Sequence, residues 1–281
     1  ACNLQCPYCF GEIDTKQGML KATFMYALNF ARFAGAAVVE LCGGEPLLYR
    51  ELEWSVECAR ADGFELILRT NGYLLHQRRG FIAKNFQAVG ISLDGDAKGN
   101  DQLRPLKKGG HMSAETKFEI PIQEIVALKA LNPKLFVVLA SVATSENVAS
   151  ILALSRLLVQ RKLPIDLWKI YQFTANNFRA KVNDDRFKLT DEVFESLRRD
   201  IEVQVAGEIP TSCRRSHETD GSCLVINRDG DVVLGSRRFG SVVCDNFGDI
   251  CSRLQAVDAG PRILRNKAAT YPTVIEQREN R

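Results

Sequence analysis

The chain has 281 residues, 46% of them hydrophobic and 25% charged, with a formal net charge of +3. That is globular composition, long enough to bury a core without disulfides, and so balanced a charge gives no reason to expect a nucleic-acid groove or an anionic membrane surface. No stretch approaches the ~20 uninterrupted apolar residues of a membrane span, and the first residues lack a basic-then-apolar leader pattern, so neither a span nor an intact secretory signal is expected. The nine cysteines are an odd number in a chain well above disulfide-scaffold size. They point to a reducing compartment, where cysteines serve as metal ligands, redox groups or small core residues.

In chain order, the first feature is Cys2-Asn3-Leu4-Gln5-Cys6-Pro7-Tyr8-Cys9-Phe10, a C-x3-C-x2-C loop. Three thiolates from one short loop can hold three irons of a [4Fe–4S] cube and leave the fourth iron open. They can equally supply three of the four ligands of a structural zinc, with Cys42 or a distant histidine as the fourth. Ala1 stands directly before this loop, so a first strand is expected upstream of it.

Apolar runs at residues 38–41, 65–68, 88–93, 135–142 and 167–173 read as buried strands. Segments of helical length fill the spaces, at residues 20–34, 51–61, 76–86, 120–131 and 148–161. This cadence predicts parallel strands joined by right-handed crossovers, and residues 100–116 read as a long loop. After residue 173 the texture changes to a polar stretch at 174–188, an amphipathic helix at 191–205, and a hairpin over 222–234 turning at Asn227-Arg228-Asp229-Gly230. The expected division is a barrel-like part over 1–175 and an extension over 176–281.

Three strand ends carry polar motifs: Leu41-Cys42-Gly43-Gly44-Glu45-Pro46, Leu68-Arg69-Thr70-Asn71-Gly72 and Ile91-Ser92-Leu93-Asp94-Gly95. Adjacent glycines let a ligand approach the backbone, and polar side chains at the C-terminal ends of parallel strands face a barrel's mouth. The same residue types also cap helices and close turns.

With the cysteine loop, these motifs resemble the CxxxCxxC, GGEP, TNG and SLDG segments of the radical S-adenosylmethionine superfamily. The resemblance implies an α/β fold, a partial parallel (β/α)6 TIM-like barrel with a C-terminal extension containing a β-hairpin. It implies that Cys2, Cys6 and Cys9 hold a [4Fe–4S] cluster. Gly43, Gly44, Glu45 and Pro46 would then meet the amino end of S-adenosylmethionine, Asn71, Ser92 and Asp94 its methionine or ribose part, and Phe10 would border the adenine. It further implies reductive cleavage to a 5′-deoxyadenosyl radical that takes hydrogen from a substrate, an electron donor such as flavodoxin or ferredoxin, and a cytoplasmic location.

The later segments Leu167-Trp168-Lys169-Ile170-Tyr171-Gln172-Phe173 and residues 222–230 resemble viperin-type enzymes, which dehydrate nucleoside triphosphates. By that likeness Lys169 is the catalytic and substrate-holding candidate, with Gln172 and Asn176 beside it, and the substrate is a nucleotide or another anionic small molecule. The chain departs from the viperin pattern at Leu167, where an arginine is usual, and over residues 138–144. A second reading is a peptide maturase whose Cys213, Cys223, Cys244 and Cys251 bind an auxiliary [4Fe–4S] cluster; a third is a zinc-binding scaffold without catalysis. Arg214-Arg215 and Arg237-Arg238 are candidates to meet an anion, while His76, His111 and His217 have no ligand spacing and read as surface residues.

Overall fold

A computed structural model describes residues 1–9, 18–107, 112–175, 178–219 and 223–257. The first part of the chain alternates helix and strand: α1 (Lys21–Phe33), β1 (Val38–Leu41), α2 (Leu52–Ala61), β2 (Glu65–Thr70), α3 (Arg79–Asn85), β3 (Ala88–Ser92), α4 (Ala97–Leu103), α5 (Ala114–Leu131), β4 (Phe136–Ala143), α6 (Val148–Arg161) and β5 (Leu167–Gln172). Then come α7 (Phe178–Val182), α8 (Asp184–Phe187), α9 (Asp191–Val205), β6 (Thr211–Arg214), α10 (Ser216–Thr219), β7 (Leu224–Ile226), β8 (Asp231–Leu234), β9 (Arg237–Ser241) and α11 (Phe247–Gln255). No helix among the described residues is long and apolar enough to cross a membrane.

The first six strands form one sheet in consecutive order, β1 to β6, and every neighbouring pair is parallel. Consecutive parallel strands with crossovers on one side form the wall of a TIM-like barrel. The five predicted strands correspond to β1 to β5. The sixth parallel strand is contributed by the region after residue 175: β6 pairs with β5 from Trp168↔Thr211 to Tyr171↔Arg214, so the sheet runs past the limit expected from sequence. Four residues are too few for a period to stand out in Thr211-Ser212-Cys213-Arg214, and only pairing to β5 makes this stretch a strand.

Side-chain alternation sorts each strand into two faces. Leu66, Leu68, Val89, Ile91, Val137, Leu139, Trp168 and Ile170 join the helices in the main core. The opposite face carries a small apolar layer of Ile67, Ala88 and Val138, edged by Phe136 and Leu167.

Helices enter the loop expected over 100–116 from both sides, α4 running to Leu103 and α5 starting at Ala114. Asp96 caps α4 by accepting from the Gly99 N–H (3.0 Å), and Ser113 caps α5 by accepting from the Thr116 N–H (3.1 Å). These polar residues read as loop in the sequence because capping and turn chemistry use the same side chains. Pro121 lies inside α5 instead of opening it, so the helix starts earlier than its apolar periodicity indicates. The amphipathic helix α9 is as expected, capped by Thr190 and burying Phe194, Leu197, Ile201 and Val205 at helical spacing.

The hairpin is present as antiparallel β7 and β8, and β9 extends it to three strands. With α11 this small sheet builds a core of Val232, Leu234, Phe239, Val242, Ile250 and Leu254 around Phe30 of α1. The extension is therefore packed on the barrel's first helix, where Phe247 meets Phe30 edge-on at 5.4 Å.

Candidate active site

Cys2, Cys6 and Cys9, none of them in a disulfide, are on a loop that lies over the sheet's C-terminal edge. Three parts of the chain grip this loop. Leu4 bridges Leu106 in an antiparallel pair, flanked by Gln5 N–H to Pro105 O (2.9 Å) and Lys107 N–H to Asn3 O (3.0 Å). The Asn71 side chain donates to Asn3 Oδ1 at 2.7 Å, and Asn183 donates to Pro7 O at 3.2 Å. Beneath lies a second apolar cluster in which Leu4, Cys6 and Tyr8 pack with Leu103, Phe173 and Phe187.

Glu45, of the Gly-Gly-Glu-Pro motif, is 3% exposed. Its carboxylate accepts from the Leu47 N–H (3.1 Å), the Thr70 hydroxyl (2.8 Å) and the Asn71 N–H (2.9 Å). Burial raises its pKa, and those donors and Arg104 oppose the rise. Its role here is to lock the β1 loop to the end of β2. Gly43 has φ +124°, a backbone that favours glycine, and nothing stands within 4 Å of where its Cβ would be. A Cβ on Gly44 would instead lie 2.0 Å from the Ala1 carbonyl oxygen, the same oxygen that accepts from the Glu45 N–H at 2.8 Å. The space expected for a ligand at Gly44 is thus filled by the backbone beside Cys2. Pro46 is buried at the start of the following short turn.

Asp94, the candidate for the methionine or ribose part of S-adenosylmethionine, is engaged by the protein itself. The residue has no exposed surface, and its carboxylate accepts from the Tyr8 hydroxyl, from Arg104 Nη1 (2.8 Å) and from the Val142 N–H (2.6 Å). It fastens the cysteine loop to β3 and β4. Gln172, the candidate beside Lys169, is engaged likewise. It is on the outward face, donating to Leu189 O and Asp191 Oδ1 at 2.9 Å each and accepting from the Ser216 N–H at 2.8 Å, which leaves its amide engaged in joining β5 to the extension. Ser92 ends β3 half-buried on the inner face. Phe10 and Asn176 lie outside the described residues.

Lys169 is on the inner face of β5, 6% exposed. Burial pushes its ammonium down to about 8; Arg69 and Arg214 add to the fall, and Glu40 and Cys223 oppose it. Strand alternation puts Glu40 of β1, Arg69 of β2, Gly90 of β3, Ala140 of β4 and Arg214 of β6 on that same face. Arg69 Nε lies 2.7 Å from Glu40 Oε1, and the Arg69 stem runs over Gly90 at 3.7 Å from the position a Cβ would take. Cys42 continues this face past β1; it keeps accessible surface, yet crowding pushes its thiol up to about 12. Glu40 and Arg69 went unnoticed in the sequence, although a charge at every second place of an apolar strand is the available signal. Of the other arginines, Arg215 pairs with Glu195 (3.2 Å) and Arg238 with Asp231 (2.7 Å), while Arg237 stacks on Phe239.

As a donor set, the cysteine loop fits a [4Fe–4S] cluster. Its thiols carry no disulfide, and burial pushes Cys6 up to about 12 against the pull of Arg104, so a bound metal must displace the proton. Among the described residues no three Cys, His, Asp or Glu side chains converge as ligands of one ion. Thiolates on separate corners of a cube stand apart by construction. The extension's cysteines do not gather either: Cys213 packs on the main core and Cys251 on the small sheet, while Cys223 is sensed at Lys169 and Cys42.

No family model matches the chain. Over 264 residues, 90% of this chain and 90% of the relative, it is 24% identical to an S-adenosylmethionine-dependent nucleotide dehydratase of Selenomonas ruminantium. Over 114 residues it is 29% identical to a dehydratase of the same name from Thermoplasmatales archaeon (strain ISO4-H5), covering 40% of this chain and 41% of that one. Over 116 residues it is 38% identical to a GTP 3′,8-cyclase of Synechococcus sp. (strain CC9902), covering 38% of this chain and 34% of that one. The chain thus spans less than half the length of the latter two. Among solved structures, anSMEcpe with AdoMet and the Kp18Cys peptide bound superposes with a TM-score of 0.69 at 17% identity, over 95% of this chain and 80% of that one. Streptococcus suis SuiB bound to its precursor peptide SuiA gives 0.66 at 16% identity, over 83% and 56%. With the cysteine loop and the motif-bearing strand ends assembled at one edge of a consecutive parallel sheet, the chain is similar in sequence, motif and fold to radical S-adenosylmethionine enzymes, which use S-adenosylmethionine with a [4Fe–4S] cluster.

Proposed function

We propose that this chain is a radical S-adenosylmethionine enzyme acting on an anionic small molecule, a nucleotide in the first instance. When bound, the cluster and S-adenosylmethionine supply a 5′-deoxyadenosyl radical for hydrogen abstraction. Cys2, Cys6 and Cys9 hold the cluster, Glu45 and Asn71 keep the loop against the strand ends, and Ser92 and the Gly43 backbone face the cofactor. A radical intermediate must be kept from water and protein, and the apolar layer of Ile67, Ala88 and Val138 lines part of the sheet's inner face.

The observation that carries the substrate class is the inner face beyond that layer. Lys169, Arg69 and Arg214 share this face with Glu40, in a layer whose other residues, Gly90 and Ala140, are small. Cations gathered on one buried face favour a phosphate or carboxylate as ligand. The nucleotide-dehydratase name of a relative that spans nine-tenths of the chain supports the same class. The peptide-maturase reading has less support, because its extra cysteines are dispersed.

The test is to incubate the anaerobically reconstituted protein with reductant, S-adenosylmethionine and a panel of nucleoside mono-, di- and triphosphates. One member should raise 5′-deoxyadenosine formation well above the uncoupled rate. Stimulation by peptides alone would refute the proposal.

A further inference from the structure

The antiparallel strip that holds the cysteine loop pairs Leu4 with Leu106. Continued by two residues, this register sets Arg104 opposite Cys6, the central thiol. The Arg104 side chain is 12% exposed, and Asp94, its carboxylate partner, 1%. Nη1 is held by Asp94 Oδ2 at 2.8 Å and the Tyr8 hydroxyl at 3.1 Å. The Nε–H is buried and has no hydrogen-bond acceptor among the described residues.

Those bonds make the guanidinium rigid. Asp94 is itself fixed by the Val142 N–H and, through its backbone, by Asn100 and Asn147, so the cation cannot swing away from the loop. A buried donor without an acceptor is rare in a finished fold and calls for a group the polypeptide does not supply. On the loop's side, that group must accept a hydrogen bond and tolerate an adjacent positive charge. Sulfur in an anionic iron–sulfur cluster does both.

We propose that Arg104 is a positioning residue that sets the reduction potential of the cluster: its Nε–H donates to a sulfur at the Cys6 corner, and its charge stabilises the reduced, more negative state. The assignment rests on the reading that Cys2, Cys6 and Cys9 hold the cluster. Net charge, hydrogen bonds to sulfur and burial are the levers by which a protein tunes such a centre, and Arg104 combines all three in one side chain. Tyr8 and Asp94 act through it, by holding it in place.

The experiment is a potentiometric titration followed by electron paramagnetic resonance, on anaerobically reconstituted protein without S-adenosylmethionine. The parent is compared with Arg104→Gln, Arg104→Lys and the double variant Asp94→Asn/Arg104→Gln, the last avoiding an unpaired buried carboxylate. At a fixed potential, Arg104→Gln and the double variant should lower the ratio of reduced to oxidised cluster at least tenfold, which is 59 mV for one electron. Arg104→Lys should recover part of the loss. A fully loaded Arg104→Gln protein with the parent midpoint would overturn the assignment. So would an unchanged midpoint combined with weakened S-adenosylmethionine binding, which would move the donor to that ligand. Failure of all three variants to take up iron would reduce Arg104 to a residue of the frame. A parent that takes up no iron and sulfide would overturn the cluster reading itself, and this assignment with it.

Discussion

At the cysteine-loop side of the mouth, Glu45, Asn71 and Asp94 bind almost wholly to the protein: three donors on the Glu45 carboxylate, three on that of Asp94, and a side-chain bridge from Asn71 to Asn3. On the inner wall, Arg69 pairs with the carboxylate of Glu40, Lys169 and Arg214 lie on the same face, and the Lys169 ammonium is held well below its ordinary value. Both regions are polar and carry motif or candidate residues. In the first, polarity has been used to build a frame; in the second it gathers cations on one face of the sheet. The substrate site proposed above uses the second region, because clustered cations gain from an incoming anion.

The sharpest break of this comparison is Asp94→Ala. It leaves the Arg104 guanidinium buried without its partner, a change that costs about 3–5 kcal/mol. Denaturant unfolding should show that loss, and cluster uptake should fall with it. If Asp94 instead served the cofactor from an open pocket, stability would hold while S-adenosylmethionine affinity fell.

Next in size is Gly44→Ala. Its Cβ would lie 2.0 Å from the Ala1 carbonyl oxygen, so the backbone beside Cys2 must move and the Glu45 N–H bond to that oxygen is lost. Iron content after reconstitution should drop. Full iron with weakened S-adenosylmethionine binding would show that Gly44 faces the ligand after all.

Lys169→Ala probes the second region. Losing a hydrogen bond to a charged group costs about 1.5–3 kcal/mol, so substrate-dependent 5′-deoxyadenosine formation should fall roughly ten- to hundredfold. The uncoupled rate should stay, since Lys169 is on the barrel wall and not in the frame. Parent-level turnover would move the substrate elsewhere.

The smallest effect is the pH dependence of the same residue. With its folded pKa near 8, the free protein keeps the Lys169 cation below that pH and loses it as pH rises, so KM for an anionic substrate should climb through about pH 8. Lys169→Arg should flatten the rise, because a guanidinium stays charged. The stability sign is opposite. Between about 8 and the ordinary lysine value the unfolded chain holds a proton that the folded one has released, so stability should increase with pH across that window. A Lys169→Met variant should lack this slope in unfolding midpoints.

The five apolar runs and their intervening helices were legible because period and length are local properties, and so was the cysteine loop, whose spacing is covalent. The strand-end motifs were visible as residues, and Ser92 does end on the inner face. Their partners within the chain were not legible: Asp94 and Gln172 look like ligand-facing residues and are held by hydrogen bonds across the fold, because a carboxylate or amide serves a backbone N–H as readily as a cofactor. β6 depended on pairing with β5, and α4 and α5 on whether Asp96 and Ser113 began helices or turns. Arg104 and Tyr8 carried no sequence signal at all. Their partners lie 10 and 86 residues away, and only a chain already folded around Asp94 brings a tyrosine, an arginine and a buried carboxylate together under the loop. Sequence determined the periodic elements and the thiol donor set; tertiary structure decided which polar groups face the protein and which face the barrel, because hydrogen-bond partners of buried groups are assigned by packing across the fold.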